Sequence, residues 1–290
     1  MANPPSSSSF DWKMYRYTPS LPLAALFLAL FTILTLLQVW AYVRHRKTSI
    51  VYIIIGGLCE IAGFSARIGS HYDNEAWVPF IIQGTLLLIG PLFFAATVYM
   101  MLGRIINLAN ASAISRISPR WYTRIFVTAD ISTLVVQGLG ASLMGTMQLS
   151  LALAGEKVVI TGLALQVATF IVFLAAAIDC NVRLARMKRD SDSDATNTSN
   201  DAWKSIIHTL YTISALVLFR CVFRLIEYTM GNAAYLIAHE WTLYVFDGVP
   251  MFAVLVLFFV YQQRAMKSPK GEGRVVDDLS DEEKVVVGSQ

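Results

Sequence analysis

Seven stretches of apolar residues, separated by short polar breaks, set the rhythm of the chain. They fall at about 21–43, 49–69, 77–102, 123–147, 158–180, 205–228 and 241–262. Each is near the roughly 20 residues that an α-helix needs to cross a hydrocarbon core. The pattern predicts an all-α membrane protein, a bundle of seven transmembrane helices. The first 20 residues are polar and rich in Ser and Pro. The first apolar run, Leu21 to Val43, exceeds the 7–15 residues of a signal-peptide core and ends in Arg44-His45-Arg46-Lys47 rather than at small residues. It is therefore expected to stay as a membrane span. From Arg264 the chain turns charged, with the acidic cluster Asp277-Asp278-Leu279-Ser280-Asp281-Glu282-Glu283, and is expected to be disordered. The expected organisation is a polar extracellular N-terminus (1–20), a seven-span domain (21–263) and a cytoplasmic tail (264–290).

Orientation follows from Lys and Arg in the short connections. Arg44, Arg46 and Lys47, then Arg104, Arg116, Arg120 and Arg124, then Arg183, Arg186, Lys188, Arg189 and Lys204, and the basic residues from Arg264 onward share one side. Lys13, Arg16 and Lys157 face them alone. The bias places the N-terminus outside and the C-terminus in the cytoplasm. The sequons at Asn110 and Asn197 then fall on the cytoplasmic side and are expected to go unused.

Composition agrees with this pattern. Of 290 residues, 56% are hydrophobic and 15% charged, against about 25% charged in a soluble domain. The net charge of +3 is small, and no basic run interleaved with aromatics points to nucleic acid. Cys59, Cys180 and Cys221 lie in or at the ends of spans without ligand spacing, so they read as packing residues and no metal or other cofactor is implied. There is no G-x-x-x-x-G-K loop, no H-E-x-x-H and no G-x-S-x-G. Seven spans also do not divide into two equal inverted halves, which leaves a 3+1+3 arrangement as the alternative.

Charge inside those spans is the informative feature, because it is costly there. Arg220, Arg224 and Glu227 are spaced i, i+4, i+7 and share one helix face. Ile206 to Tyr228 contains twelve Leu, Ile, Val and Phe, at roughly −0.5 kcal/mol each about −6 kcal/mol for insertion. Three lipid-facing charges at ~3 kcal/mol each would cancel that, so the face must turn inward. Glu60 and Arg67 lie two turns apart on the second span, about 10 Å along the axis, too far for a close pair without a third group. Asp130 and Gln137 share a face of the fourth span, and Asp130 needs a cationic or hydrogen-bonding partner, with Arg220 and Arg67 as candidates. His239, Glu240 and Asp247 flank or enter the seventh span. Pro91 is expected to kink the third. Gly138, Ala141, Ser142 and Gly145 read as a small-residue strip for close helix approach. Asp179 beside Arg183 reads as an interfacial ion pair. For the buried charges two readings stand together, a polar network that fixes helix register and a path for a polar headgroup or proton.

With these residues in view, the chain resembles the fungal lipid-translocating exporter family, seven-span proteins named for aminocholesterol resistance and for export of sphingoid long-chain bases. The resemblance covers roughly residues 20–265. It rests on Gly57 to Arg67, on Pro91 to Met100 with Gly103-Arg104, and on Asp130 with Gln137-Gly138 and Gly162 with Gln166. It is most specific at Phe219-Arg220, Phe223-Arg224, Glu227-Tyr228, Gly231, His239-Glu240 and Tyr244 to Asp247. Where members are expected to carry His-Pro-Gly at the end of the seventh span, this chain has Tyr261-Gln262-Gln263. The resemblance implies a multi-pass plasma-membrane protein linked to translocation or efflux of amphipathic lipids, sphingoid-base- or sterol-like, and to stress resistance; with no G-x-x-x-x-G-K loop, the movement is expected not to be ATP-driven by that route. A seven-span lipid sensor and an integral-membrane enzyme acting on a lipid-soluble substrate are the alternatives. The residues of interest for any of them are Glu60, Arg67, Asp130, Gln137, Arg220, Arg224, Glu227, His239, Glu240 and Asp247, with membrane lipids or amphipathic small molecules as partners.

Overall fold

A computed structural model describes residues 20–45, 48–72, 77–108, 119–144, 149–191, 198–230 and 240–267. Every ordered element among them is helical. They are α1 (Leu21–His45), α2 (Thr48–Tyr72), α3 (Trp77–Leu108), α4 (Pro119–Met144), α5 (Leu149–Ser191) and α6 (Thr198–Thr229). The seventh helix, α7, begins as Glu240–Leu243, passes through a π-helical turn at Tyr244–Gly248 and continues as Val249–Lys267. All seven hold a segment long and apolar enough to cross a membrane. His239, the two sequon asparagines and the acidic tail lie outside the described residues.

The helices pack mainly in chain order, and α7 closes back onto both α6 and α1. α3 touches α2, α4 and also α6. This explains why 72% of its most apolar window is buried, against 28% for α1, α4 and α5. α1 shows the opposite distribution, with Ile33, Leu36, Trp40 and Val43 exposed on its outer side. In a bilayer, such apolar side chains are the ones that meet lipid. The inner side of α1 carries Phe27 and Phe31, whose rings lie 5.5 Å from Phe64 of α2, and Phe27 lies 5.1 Å from Tyr244 of α7. These rings form one end of a core that continues through Phe94, Met251, Leu255 and Phe258.

Two expectations need correction. The fifth helix is longer than its apolar run, 43 residues from Leu149, because Gly155-Glu156-Lys157 continues the helix rather than forming a loop. The close approach of α4 to α5 also uses another face of α4. Gly138, Ala141 and Ser142 are exposed, and a Cβ on Gly138 would meet nothing within 4 Å; Gly145 lies outside the described residues. The packed face runs Asp130, Thr133, Gln137, Gly140, and Gly140 meets Gly155 and Val159 of α5. A Cβ on Gly155 would stand 2.5 Å from the Gly140 carbonyl oxygen. The helix period, not the cluster of small residues, decided the face, because Gly140 lies three residues from the inward Gln137 and Gly138 only one. Asp179 and Arg183 pair as expected, at 2.9 Å, on the exposed side of α5. α7 runs on through Tyr261-Gln262-Gln263, which is helical here.

Candidate functional site

Among the described residues the buried charges gather in three groups, and the central one holds most of them. Arg220, Arg224 and Glu227 turn inward on α6 as their spacing requires. Asp247 meets them from α7. One of its carboxylate oxygens faces Arg220 Nε and the other Arg224 Nη2. Arg224 Nη1 also donates to Glu227 Oε2 at 3.0 Å. Asp247 and Arg220 are only 5% and 3% exposed. Pairing at that depth is the condition on which charges are tolerated.

Asp247 sits in the π-helical turn of α7, and the sequence supplies a reason for that turn. Pro250 follows two residues later. Proline has no N–H to donate, and its ring clashes with the carbonyl four residues back. The ladder widens just before it, and the Val249 N–H reaches the Tyr244 carbonyl five residues back. Such turns are frequent at functional sites. Gly248, at the end of the turn, lets α1 approach, since a Cβ there would stand 2.6 Å from the Phe27 ring.

A second proline shapes the partner of Arg220. Pro91 lies inside α3 and cannot donate to the carbonyl of Leu87, four residues earlier. Within a bilayer a neighbouring helix must satisfy such a freed carbonyl. Arg220 Nη2 donates to the Leu87 carbonyl. One guanidinium thus ties a proline-opened carbonyl of α3 to a carboxylate in the π-turn of α7.

Glu60 of α2 completes the centre. It is 2% exposed, and its Oε1 has no hydrogen-bond partner among the described residues. Asp247, Arg220 and Arg224 are within electrostatic reach of it. Glu60 reaches into the space that Gly90 leaves open; a Cβ on Gly90 would stand 2.7 Å from Oε1. Both arginines are already committed to other partners, so Glu60 is the acid left over. Three carboxylates here face two guanidiniums.

Arg67 does not join Glu60. It bridges to α7 at a different level, donating through Nε to the Tyr244 hydroxyl at 3.0 Å and through Nη2 to Glu240 Oε1 at 2.9 Å. The Tyr244 hydroxyl donates to the same Glu240 oxygen at 2.9 Å, and the Ser20 backbone N–H donates to both Glu240 oxygens at 2.8 Å. This group clasps α1, α2 and α7 at one end. Arg67 is seven residues from Glu60 and Glu240 seven from Asp247, so the clasp lies about 10 Å along the bundle from the charged centre.

The third group is Asp130 on α4. Its partner is neither Arg220 nor Arg67. Asp130 Oδ2 accepts from the Tyr99 hydroxyl of α3 at 2.7 Å. Farther along α4, Gln137 Nε2 donates to Gln166 Oε1 of α5 at 2.9 Å, away from the charged centre. Tyr99, Tyr244 and the Leu87 carbonyl are the parts that sequence reasoning missed. Leu87 had a backbone signal, its position four before Pro91, while Tyr99 and Tyr244 were marked only by lying in segments that carry the family resemblance.

Fold and site together define a class of seven-helix membrane proteins with apolar side chains outward and paired charges buried between helices. The chain belongs to the RTA1 like protein family, which matches residues 53–268. It is 30% identical to protein RTA1 of Saccharomyces cerevisiae over 86% of this chain and 84% of the relative. It is 29% identical to protoporphyrin uptake protein 1 of the same yeast over 88% and 93%. It is 28% identical to the sphingoid long-chain base transporter RSB1 of that yeast over 86% and 76%. No solved structure matches the chain.

Proposed function

We propose that this protein translocates amphipathic lipids, sphingoid-base- or sterol-like, across the plasma membrane without hydrolysing ATP, and that it contributes to resistance against toxic amphiphiles. One observation carries the reading. The centre formed by Glu60, Arg220, Arg224, Glu227 and Asp247 is the largest cluster of buried charge between helices whose outer sides are apolar. A lipid crossing a bilayer meets its main barrier at the headgroup, because stripping a polar or charged group of water without replacement partners is costly. A buried set of acids and guanidiniums supplies replacement partners while the tail stays in lipid. The spare carboxylate of the centre, Glu60, suits a cationic headgroup, and the arginines suit an anionic or hydroxylated one. A relative named as a sphingoid long-chain base transporter and one named for protoporphyrin uptake are consistent with amphiphiles of either kind. The N-terminus is placed outside and the tail in the cytoplasm, on the bias of the basic residues.

The test is movement of two fluorescent probes, a long-chain base and a fixed-charge alkylammonium amphiphile, across liposomes containing only this protein. The expected result is movement faster than in protein-free liposomes and lost in Glu60→Gln, which removes the spare carboxylate without breaking a hydrogen bond at Oε1. Folded wild-type protein that moves neither probe refutes the proposal, and a lipid then found bound to it favours a sensor.

A further inference from the structure

Asp130 is a buried acid that the charged centre does not use. It is 2% exposed, and its Oδ1 is buried without a hydrogen-bond partner among the described residues. Its other oxygen has one neutral donor, the Tyr99 hydroxyl. The groups around it can be named helix by helix. α3 offers Tyr99. α6 offers Cys221, within electrostatic reach and next to Arg220 in sequence. On α4 itself, the Thr133 hydroxyl donates to the backbone carbonyl of Asp130 and not to its carboxylate. α5 contributes apolar rings, with Phe173 4.5 Å from the Tyr99 ring and Phe170 6.1 Å from it. Among the described residues no guanidinium or ammonium bonds to Asp130.

Among the described residues the other buried acids, and half-buried Glu240, each have an arginine at hand. Asp247 and Glu227 are salt-bridged, Glu240 is bridged to Arg67, and Glu60 lies within reach of two arginines. A permanently ionised carboxylate at Asp130 would be a buried charge with a single neutral donor, which is costly. A carboxyl group that binds and releases a proton needs no counter-ion in its neutral state. Oδ1 is free to take that proton while Tyr99 holds Oδ2 in place. The position also allows communication, since Cys221 and Arg220 are consecutive on α6 and Arg220 holds both Asp247 and Leu87.

We propose that Asp130 is a proton-exchanging site that couples a pH gradient to lipid movement through the charged centre; this rests on the translocator reading. The proton adds to Oδ1, neutralises one negative charge and leaves again to restore it. The bond from Tyr99 persists throughout.

The experiment uses the full chain in liposomes with the fixed-charge alkylammonium probe, whose charge a pH gradient cannot alter. Two rates are read, accumulation driven by an imposed gradient and exchange at equal pH with probe on both sides. Wild type is expected to accumulate the probe. Asp130→Asn, nearly isosteric and still able to accept from Tyr99, is expected to keep exchange and lose accumulation. Tyr99→Phe is expected to keep accumulation with a displaced pH profile. Wild type that exchanges the probe but ignores the gradient overturns the coupling and leaves translocation standing. Asp130→Asn that still accumulates, or a Tyr99→Phe profile that coincides with wild type, also overturns it. Wild type that does not move the alkylammonium probe at all overturns the coupling, and wild type that also fails to move the long-chain base sinks translocation itself.

Discussion

If Arg220 satisfies a carbonyl that Pro91 opens, the two residues must be energetically coupled, and a double-mutant cycle measures that coupling. Arg220→Gln removes a buried ion-pair partner of Asp247, and breaking such a pair by truncation costs about 3–5 kcal/mol. Part of this cost comes from the Leu87 carbonyl, left without a donor in a region where water does not replace it. Interhelical hydrogen bonds in membranes reach about 1–2 kcal/mol. In a Pro91→Ala background, residue 91 has an N–H again, and the Leu87 carbonyl recovers its own helical donor. Arg220→Gln should then cost about 1–2 kcal/mol less than in the parent protein. The loss of the Asp247 bridge is common to both backgrounds and cancels. Pro91→Ala alone should be neutral or stabilising. The assay is unfolding of the four proteins by denaturing detergent in mixed micelles, with helicity followed by circular dichroism. Costs that add within about 0.5 kcal/mol would mark the sites as independent and refute the reasoning.

Three further expectations follow from the geometry. Asp247→Asn should destabilise the fold more than Glu60→Gln. The first leaves Arg220 and Arg224 without their shared carboxylate, at about 3–5 kcal/mol, whereas the second removes an acid whose Oε1 has no hydrogen bond to lose; equal melting temperatures would contradict this. Gly155→Ala should cost about 1–3 kcal/mol by overpacking α4 against α5, while Gly138→Ala should be neutral or stabilising by up to about 1 kcal/mol, and melting of the two variants separates these outcomes. Asn110 and Asn197 should carry no glycan on the protein expressed in a fungal host; a gel shift on endoglycosidase treatment would reverse the proposed orientation.

The sequence alone determined the number and approximate places of the helices, because a bilayer admits few solutions for an apolar stretch of about 20 residues. It also determined that Arg220, Arg224 and Glu227 turn inward, since their spacing places them on one face and the cost of lipid exposure forbids the alternative. It placed Glu60 and Arg67 too far apart for a close pair without a third group, from the rise of the helix alone. What it could not supply was any contact between helices. Asp130 finds Tyr99 rather than an arginine, and Arg67 finds Glu240 and Tyr244 across the bundle. Gly140 rather than Gly138 meets α5. These contacts depend on the rotation and depth of each helix relative to its neighbours, and the interior of a bundle offers several cations and donors to each acid at similar local cost. The tertiary structure chose among them through close packing, and it brought together the π-turn before Pro250, the carbonyl freed by Pro91 and the arginine that joins them.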